Sequence, residues 1–364
     1  NLQTGKHQSV QGSQPSAGQI LVPASRQRET RDQVSSVQDV QASFHRVNLD
    51  RPPFGVGDAA LQLIAVAVRI DQPALARHLA KRLAVRERTA DINGPVVYAD
   101  FGGDGQPIVL VHGLGGNHAN WMPVAERLTG LGHVVALDLP GFGRTAPHGR
   151  SSALQSNRDI LHRFITDVAG APAILFGNSM GGLLSLMQAS AAPSTVSSLV
   201  LCSPALPRPA GSLGDPLILA TFAAYSVPFA GERLVARRAR RLGPEGLVRE
   251  TLRVCSVNPA TIPQATIDEL IAIARWRYAQ PWPTTAYLQA ARSLVGIVSR
   301  QARFRNMVAA ISAPGLSIHG RHDRLVPLQA SRELIRMRPG WDLEVFDDAG
   351  HIAMMEHGDR FAQV

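Results

Sequence analysis

Lysine is almost missing from this chain. Lys6 and Lys81 are the only two, so nearly all of the 37 basic residues are arginine, and the formal net charge is +9. Nucleic-acid binding needs a recognition motif as well as basic charge. No such motif is present, so the excess reads as arginine usage and nucleic acid is not an expected partner. Cysteine is nearly absent too. Cys202 and Cys255 lie far apart with no CxxC, which excludes a disulfide framework and a cysteine zinc site. Both read as small buried residues. The apolar run from Ala59 to Ile70 contains Gln62 and Arg69 and is too short to span a bilayer. No secretory signal opens the chain. These absences predict a cytoplasmic protein, and Asn1 in place of methionine leaves room for residues upstream.

What is present begins with size: 364 residues, 45% of them hydrophobic, enough for one large domain with an insertion or for two domains. Residues 1–43 are rich in Gln, Ser, Val and Arg, with the first aromatic at Phe44. They predict a disordered or loosely packed arm. Residues 44–84 form a basic extension. Leu61, Ile64, Ala65 and Val68 fall at helical spacing, and Leu75, Leu79 and Leu83 repeat it after Pro73. With Arg69, Arg77, Lys81 and Arg82 this is a basic amphipathic pattern. It suits peripheral contact with a membrane or cover over a substrate entrance; packing on the chain's own domain is the plainer expectation.

From Val85 the rhythm changes to short strands. Arg86–Ile92 and Pro95–Phe101 flank Asn93-Gly94, a hairpin turn signal. Pro107–Val111, His133–Leu137, Ala173–Phe176 and Ser198–Cys202 read as buried strands. The segments Ala119–Thr129, Ala153–Val168 and Leu183–Ala192 between them read as helices. Such alternation predicts an α/β fold with a mostly parallel sheet and helices on both faces. It stops at about 205 and resumes at Gly315–His319 and Asp342–Phe346. Residues 205–305 are helix-like, hold fourteen arginines against six acids, and include Trp276, Tyr278, Trp282 and Tyr287. They predict a helical cap with an aromatic core, inserted into a core of 85–204 and 306–364.

The chemistry centres on Gly177-Asn178-Ser179-Met180-Gly181-Gly182, between a strand and a helix. A serine on so sharp a turn needs small residues two before and two after it. Its hydroxyl needs a base, and the base an orienting acid. In open parallel sheets such groups sit beyond the carboxyl ends of strands. Asp323 follows the strand ending at His319, and His351 follows the strand ending at Phe346. An oxyanion hole needs two backbone N–H groups. Met180 supplies one, and Leu114, in His112-Gly113-Leu114-Gly115-Gly116, the other. His112, His118, His319 and His322 read as satisfied or solvated side chains rather than metal ligands, and no metal or cofactor is expected.

These motifs, with Asp138-Leu139-Pro140-Gly141-Phe142-Gly143, Gly320-Arg321-His322-Asp323 and Gly350-His351, run in order through residues 85–364. The chain resembles the α/β-hydrolase fold superfamily, in its serine-nucleophile, capped branch. The resemblance implies an eight-stranded, mostly parallel sheet with the cap after the sixth strand. It implies Ser179 as nucleophile, His351 as base then acid, Asp323 as orienting carboxylate, and Leu114 and Met180 as oxyanion donors. Relatives with aspartate at the elbow, the haloalkane dehalogenases and epoxide hydrolases, do not match Ser179. The elbow is similar to that of hydrolases that split carbon–carbon bonds in meta-cleavage products, but their oxyanion loop often holds proline where this chain has Leu114-Gly115-Gly116. The expectation is therefore an ester hydrolase acting on a small acyl substrate first, a carbon–carbon hydrolase second, and a non-catalytic ligand-binding member of the fold third.

Overall fold

In the computed structural model the chain divides into two units, 1–83 and 84–364, and the structure describes residues 86–211 and 215–364. The arm at 1–43 and the basic extension at 44–84 lie outside the described residues. Arg86–Asp91 (β1) and Pro95–Gly102 (β2) form the expected hairpin around Asn93-Gly94. Six more strands follow: β3 (Pro107–Val111), β4 (His133–Leu137), β5 (Ala173–Asn178), β6 (Val196–Cys202), β7 (Gly315–Gly320) and β8 (Asp342–Phe346). They build one eight-stranded sheet in the order β1-β2-β4-β3-β5-β6-β7-β8. β2 runs antiparallel to its neighbours, and β3 to β8 are parallel.

The continuous apolar runs of the inner strands follow from burial on both faces. Alternate residues point to opposite sides of a strand. Val109 and Val111 of β3 join Val135 and Leu137 of β4, Leu175 of β5, and Leu199 and Leu201 of β6 in one core. Ile108, Leu110, Val134, Ala136, Phe176 and Cys202 join the other. The first core is covered by α2 (Leu154–Phe164), α3 (Met180–Ala191) and α9 (Leu328–Met337). The second is covered by α1 (Met122–Leu128) and the short turns α10 (Ala353–Glu356) and α11 (Gly358–Phe361). α3 is buried through nearly its whole length, as a helix apolar on all sides must be. The helix expected over Ala119–Thr129 begins as a 3-10 turn, His118–Trp121, because Pro123 is accepted only in the first turn of α1. The one expected over Ala153–Val168 ends at Phe164 and loosens into a π turn over Ile165–Ala169 before Gly170.

Between β6 and β7 the chain is helical: α4 (Pro216–Ser226), α5 (Ala230–Cys255), α6 (Gln264–Tyr278), α7 (Pro283–Val298) and α8 (Gln301–Ala309). α5 is broken at Gly243, which adopts a positive φ of 64° ahead of Pro244. α8 places Phe304 and Val308 in the first core. Among the described residues no helix is long and apolar enough to cross a membrane.

Phe164 tests this packing. It is fully buried and meets Tyr98 edge-on at 5.2 Å. Phe164→Ala is expected to lower the unfolding free energy by about 3–5 kcal/mol, read from urea denaturation followed by circular dichroism.

Candidate active site

Ser179 stands where β5 becomes α3, with φ 52° and ψ −115°. Positive φ in a residue other than glycine is strained and persists only where the surroundings hold it. Here they do: the Ser179 N–H donates to Cys202 O at 3.1 Å, and its carbonyl accepts from Leu183 N at 3.1 Å and Ala205 N at 2.9 Å. The flanking glycines are sterically required. A Cβ on Gly177 would lie 2.5 Å from the carbonyl oxygen of Gly181, and one on Gly181 would overlap the carbonyl of Val111.

The loop after β3 closes on the serine: a Cβ built on Gly113 would lie 3.1 Å from Ser179 Cβ. His112 holds this loop. Its ring is fully buried, with Nδ1 2.8 Å from Gly113 O and Nε2 accepting from Leu139 N at 3.1 Å. That pattern needs the neutral ring, and burial, ahead of the neighbouring charges, lowers its pKa to about 4. The amides of Leu114 and Met180 donate to no backbone carbonyl among the described residues. Met180 also opens α3, whose N-terminal dipole favours negative charge.

Asp323 and His351 meet at the ends of β7 and β8: Asp323 Oδ2 and His351 Nδ1 are 2.7 Å apart. The Asp323 side chain is fully buried. Its Oδ1 accepts from Leu325 N at 2.8 Å and Val326 N at 3.0 Å, and His319 Nε2 stands 3.3 Å from Oδ2. Burial opposes ionisation, but the charge of His351 and hydrogen bonds from His319 and His351 outweigh it. The carboxyl is held well below its ordinary 3.8. His351 is itself fixed by its backbone, its N–H donating to Cys255 O at 2.6 Å and its carbonyl accepting from Asn178 Nδ2 at 3.0 Å.

The structure thus brings all five expected residues to one end of the sheet: Ser179 and Met180 at the turn, Leu114 on the facing loop, and Asp323 and His351 as a bonded pair. Several supporting residues were not read from the sequence. Asn178 lies within the elbow motif, and its amide holds Cys202 O at 3.1 Å and His351 O at 3.0 Å, tying the elbow to the His351 loop. Glu356 accepts from Gly350 N at 2.8 Å and Val257 N at 2.7 Å, joining that loop to the cap. Only its burial beside Met354 and Met355 marks it. Arg277 of α6 donates to Gly141 O at 3.0 Å and Gly143 O at 3.3 Å, between the rings of Phe142 and Trp282. Burial lowers its pKa to about 10.

The loop that Arg277 grips is organised by a second buried acid. Asp138 accepts from His118 N at 2.7 Å, from Arg144 N at 2.8 Å, and pairs with His118 Nδ1 at 3.1 Å. Burial would raise Asp138 and lower His118, yet their mutual attraction reverses both shifts. His112, His118 and His319 are therefore bonded within the core, and His322 is exposed. Among the described residues no cluster of His, Cys, Asp and Glu is arranged to hold a metal ion. Both cysteines are buried and free, with thiols pushed up to about 12 by burial.

The model of the alpha/beta hydrolase fold family matches residues 106–358. Among curated relatives, a dihydrolipoyllysine-residue acetyltransferase component of the acetoin cleaving system from Cupriavidus necator is 28% identical, over 75% of this chain and 66% of that protein. A 2-hydroxy-6-oxononadienedioate/2-hydroxy-6-oxononatrienedioate hydrolase from a Pseudomonas species is 25% identical, over 75% and 91%. A pimeloyl-[acyl-carrier protein] methyl ester esterase from Vibrio cholerae is 29% identical, over 73% and 95%. Among solved structures, one described as a putative lipase from Acinetobacter baumannii superposes with a TM-score of 0.62 at 20% identity, covering 86% of this chain and 96% of that one.

Two measurements follow from this geometry. Asn178→Ala strips the His351 carbonyl of this donor and leaves Cys202 O with the Ser179 amide alone, and is expected to cost about 1–3 kcal/mol, read by thermal melting. Asp323 is depressed in the folded state, so its stabilising contribution is present above pH 3.8 and is lost as pH falls towards its folded value. Asp323→Asn should therefore flatten the acid limb of stability against pH by about one proton, or about 1.4 kcal/mol per pH unit, read from urea melts between neutral and acid pH.

Proposed function

Because this chain belongs to the α/β-hydrolase fold family, matched over residues 106–358, we propose that it is a serine hydrolase that cleaves carboxylic esters through an acyl-enzyme. The observation that carries the reading is the 2.7 Å contact between the buried, ionised Asp323 and His351, at the same sheet end as the strained Ser179. Asp323 fixes the Nδ1–H tautomer of His351, which leaves Nε2 as the base. Nε2 takes the Ser179 proton as Oγ bonds to the ester carbonyl carbon. The resulting oxyanion sits on the amides of Leu114 and Met180. His351 then gives the proton to the departing alcohol. A water, deprotonated by the same nitrogen, attacks the acyl-enzyme and releases the acid and Ser179. Asp323 stays ionised and stabilises the imidazolium in both halves. No cofactor or metal takes part in these steps.

The esterase from Vibrio cholerae supports this reading. A second reading, hydrolysis of a carbon–carbon bond in a meta-cleavage-type vinylogous diketone, is favoured by the Pseudomonas relative and by the elbow Gly177-Asn178-Ser179-Met180-Gly181-Gly182. The partner in either case is a small acyl substrate, and the proposed location is the cytoplasm, with contact at the membrane periphery.

The test is hydrolysis of p-nitrophenyl esters from acetate to palmitate. The wild type should show a preferred chain length. Ser179→Ala should abolish turnover with its melting temperature unchanged, and Asp323→Asn should lower kcat on the order of 10⁴-fold. Full turnover by Ser179→Ala would overturn the assignment. A folded wild type inert on every ester but active on a dienoate meta-cleavage product would establish the second reading.

A further inference from the structure

The cap carries a surface that the chemistry above does not use. From Pro216 to Gly231 the chain has no charged residue, Asp215 and Glu232 standing at its two ends. This stretch forms α4 and the turn into α5. Its apolar side chains face outward: Leu217 is 72% exposed, Phe229 76%, Val227 52% and Leu219 44%. Phe229 is held outward at a positive φ of 64°, a conformation that a bulky residue adopts only when its surroundings impose it. The stretch is anchored firmly. Asp215 caps α4 and pairs with Arg324 at 2.7 Å. Arg292 donates to Tyr225 O at 2.9 Å and pairs with Glu232 at 2.9 Å.

Beside this patch, the first half of α5 presents Arg233, Arg237, Arg240 and Arg241, all exposed and spaced to share one stripe of the helix. Among the described residues none of the four pairs with an acid, whereas Arg238, on the inner side, pairs with Glu250 at 3.3 Å. An apolar patch bordered by unpaired arginines is the surface of an element that lies in the plane of a lipid interface.

We propose that α4, the 227–230 turn and the start of α5 dock on an anionic lipid surface, with Leu217, Leu219, Val227 and Phe229 entering the acyl boundary and the four arginines meeting headgroup phosphates. Charge complementarity selects this occupant. A second copy of the chain would bring the same arginines, and the chain's own segment 44–84 is itself basic, so both meet like charge. α4, with eleven residues, is too short to cross a bilayer and suited to lie along it. The docking does not depend on the ester-hydrolase reading. It places the interface on the outer side of the helix whose buried Tyr225 meets Tyr287 edge-on at 5.6 Å. The Tyr287 ring would lie 3.3 Å from a Cβ on Gly115, next to Leu114.

The test is flotation of the full chain with vesicles of phosphatidylcholine alone and of equal phosphatidylcholine and phosphatidylglycerol, at low and high salt. The expected result is binding only to the anionic vesicles, weakened by salt. Arg237→Glu/Arg240→Glu/Arg241→Glu should weaken it by well over a hundredfold, since loss of charge alone gives about fivefold per basic residue and reversal adds repulsion. Leu217→Asp/Phe229→Asp should remove it, with the melting temperature of both variants unchanged. Arg237→Gln/Arg240→Gln/Arg241→Gln, which removes charge without reversing it, should fall between. Absence of binding to the anionic vesicles would overturn the proposal. So would binding equal to wild type in all variants, which would assign the contact to another part of the chain. Self-association abolished by the two aspartates, measured by analytical ultracentrifugation, would assign the patch to a second copy instead.

Discussion

A serine held at positive φ between a parallel strand and a buried helix is the constraint to which the surrounding structure answers. Such a conformation costs of order 1–3 kcal/mol and relaxes wherever the chain is free to move. β5 lies between β3 and β6, and α3 is buried along nearly its whole length, so neither end of the turn has room to unwind. The glycines at 177 and 181 are then a consequence of close backbone approach. The two apolar cores, one on each face of the sheet, both protect the fold and keep this one residue out of its preferred geometry.

Around that turn, loops are held by buried charge more than by apolar contact. Asp138 and Asp323 are each completely removed from water, and each is kept ionised by a histidine and by backbone amides. A buried carboxylate satisfied in this way fixes several chain segments at once, because losing any donor leaves a charge uncompensated. Asp138 orders the loop that follows β4, and His112 links that loop to the one bearing Leu114. Asp323 orders the loop after β7 and, through His351, the loop after β8. The two networks differ in consequence: one sets the backbone near the Leu114 amide, the other sets a ring nitrogen.

The cap is joined to this frame by polar contacts with backbone carbonyls. Arg277 grips Gly141 and Gly143, with no carboxylate ion-paired to it among the described residues, and Cys255 O receives the His351 amide. These contacts place the inner ends of α5 and α6 against the loops that carry the site. The outward side of α4 and the first half of α5 is apolar in one part and basic in the next. Of the aromatics expected in the cap core, Tyr287 is partly buried and faces Gly115 on the loop after β3, and Tyr278 is half exposed.

By itself the sequence determined the α/β architecture, the strands β3, β4 and β8 to the residue, and the positions of Ser179, Asp323, His351, Leu114 and Met180. The reason is local. Strand runs, the small residues of a tight turn and a polar residue just past a strand end are written in neighbouring positions, and a parallel sheet brings its strand ends together without further information. Only the tertiary structure decided what supports them. Asn178, Glu356 and Arg277 act across long sequence separations, on backbone carbonyls and amides that have no side-chain signature. The arginine excess of residues 205–305 was legible, but which of the cap's arginines face inward to an acid and which stand beside an exposed phenylalanine depends on how α4 and α5 pack. That packing is set by contacts among residues distant in the chain, which no local pattern records.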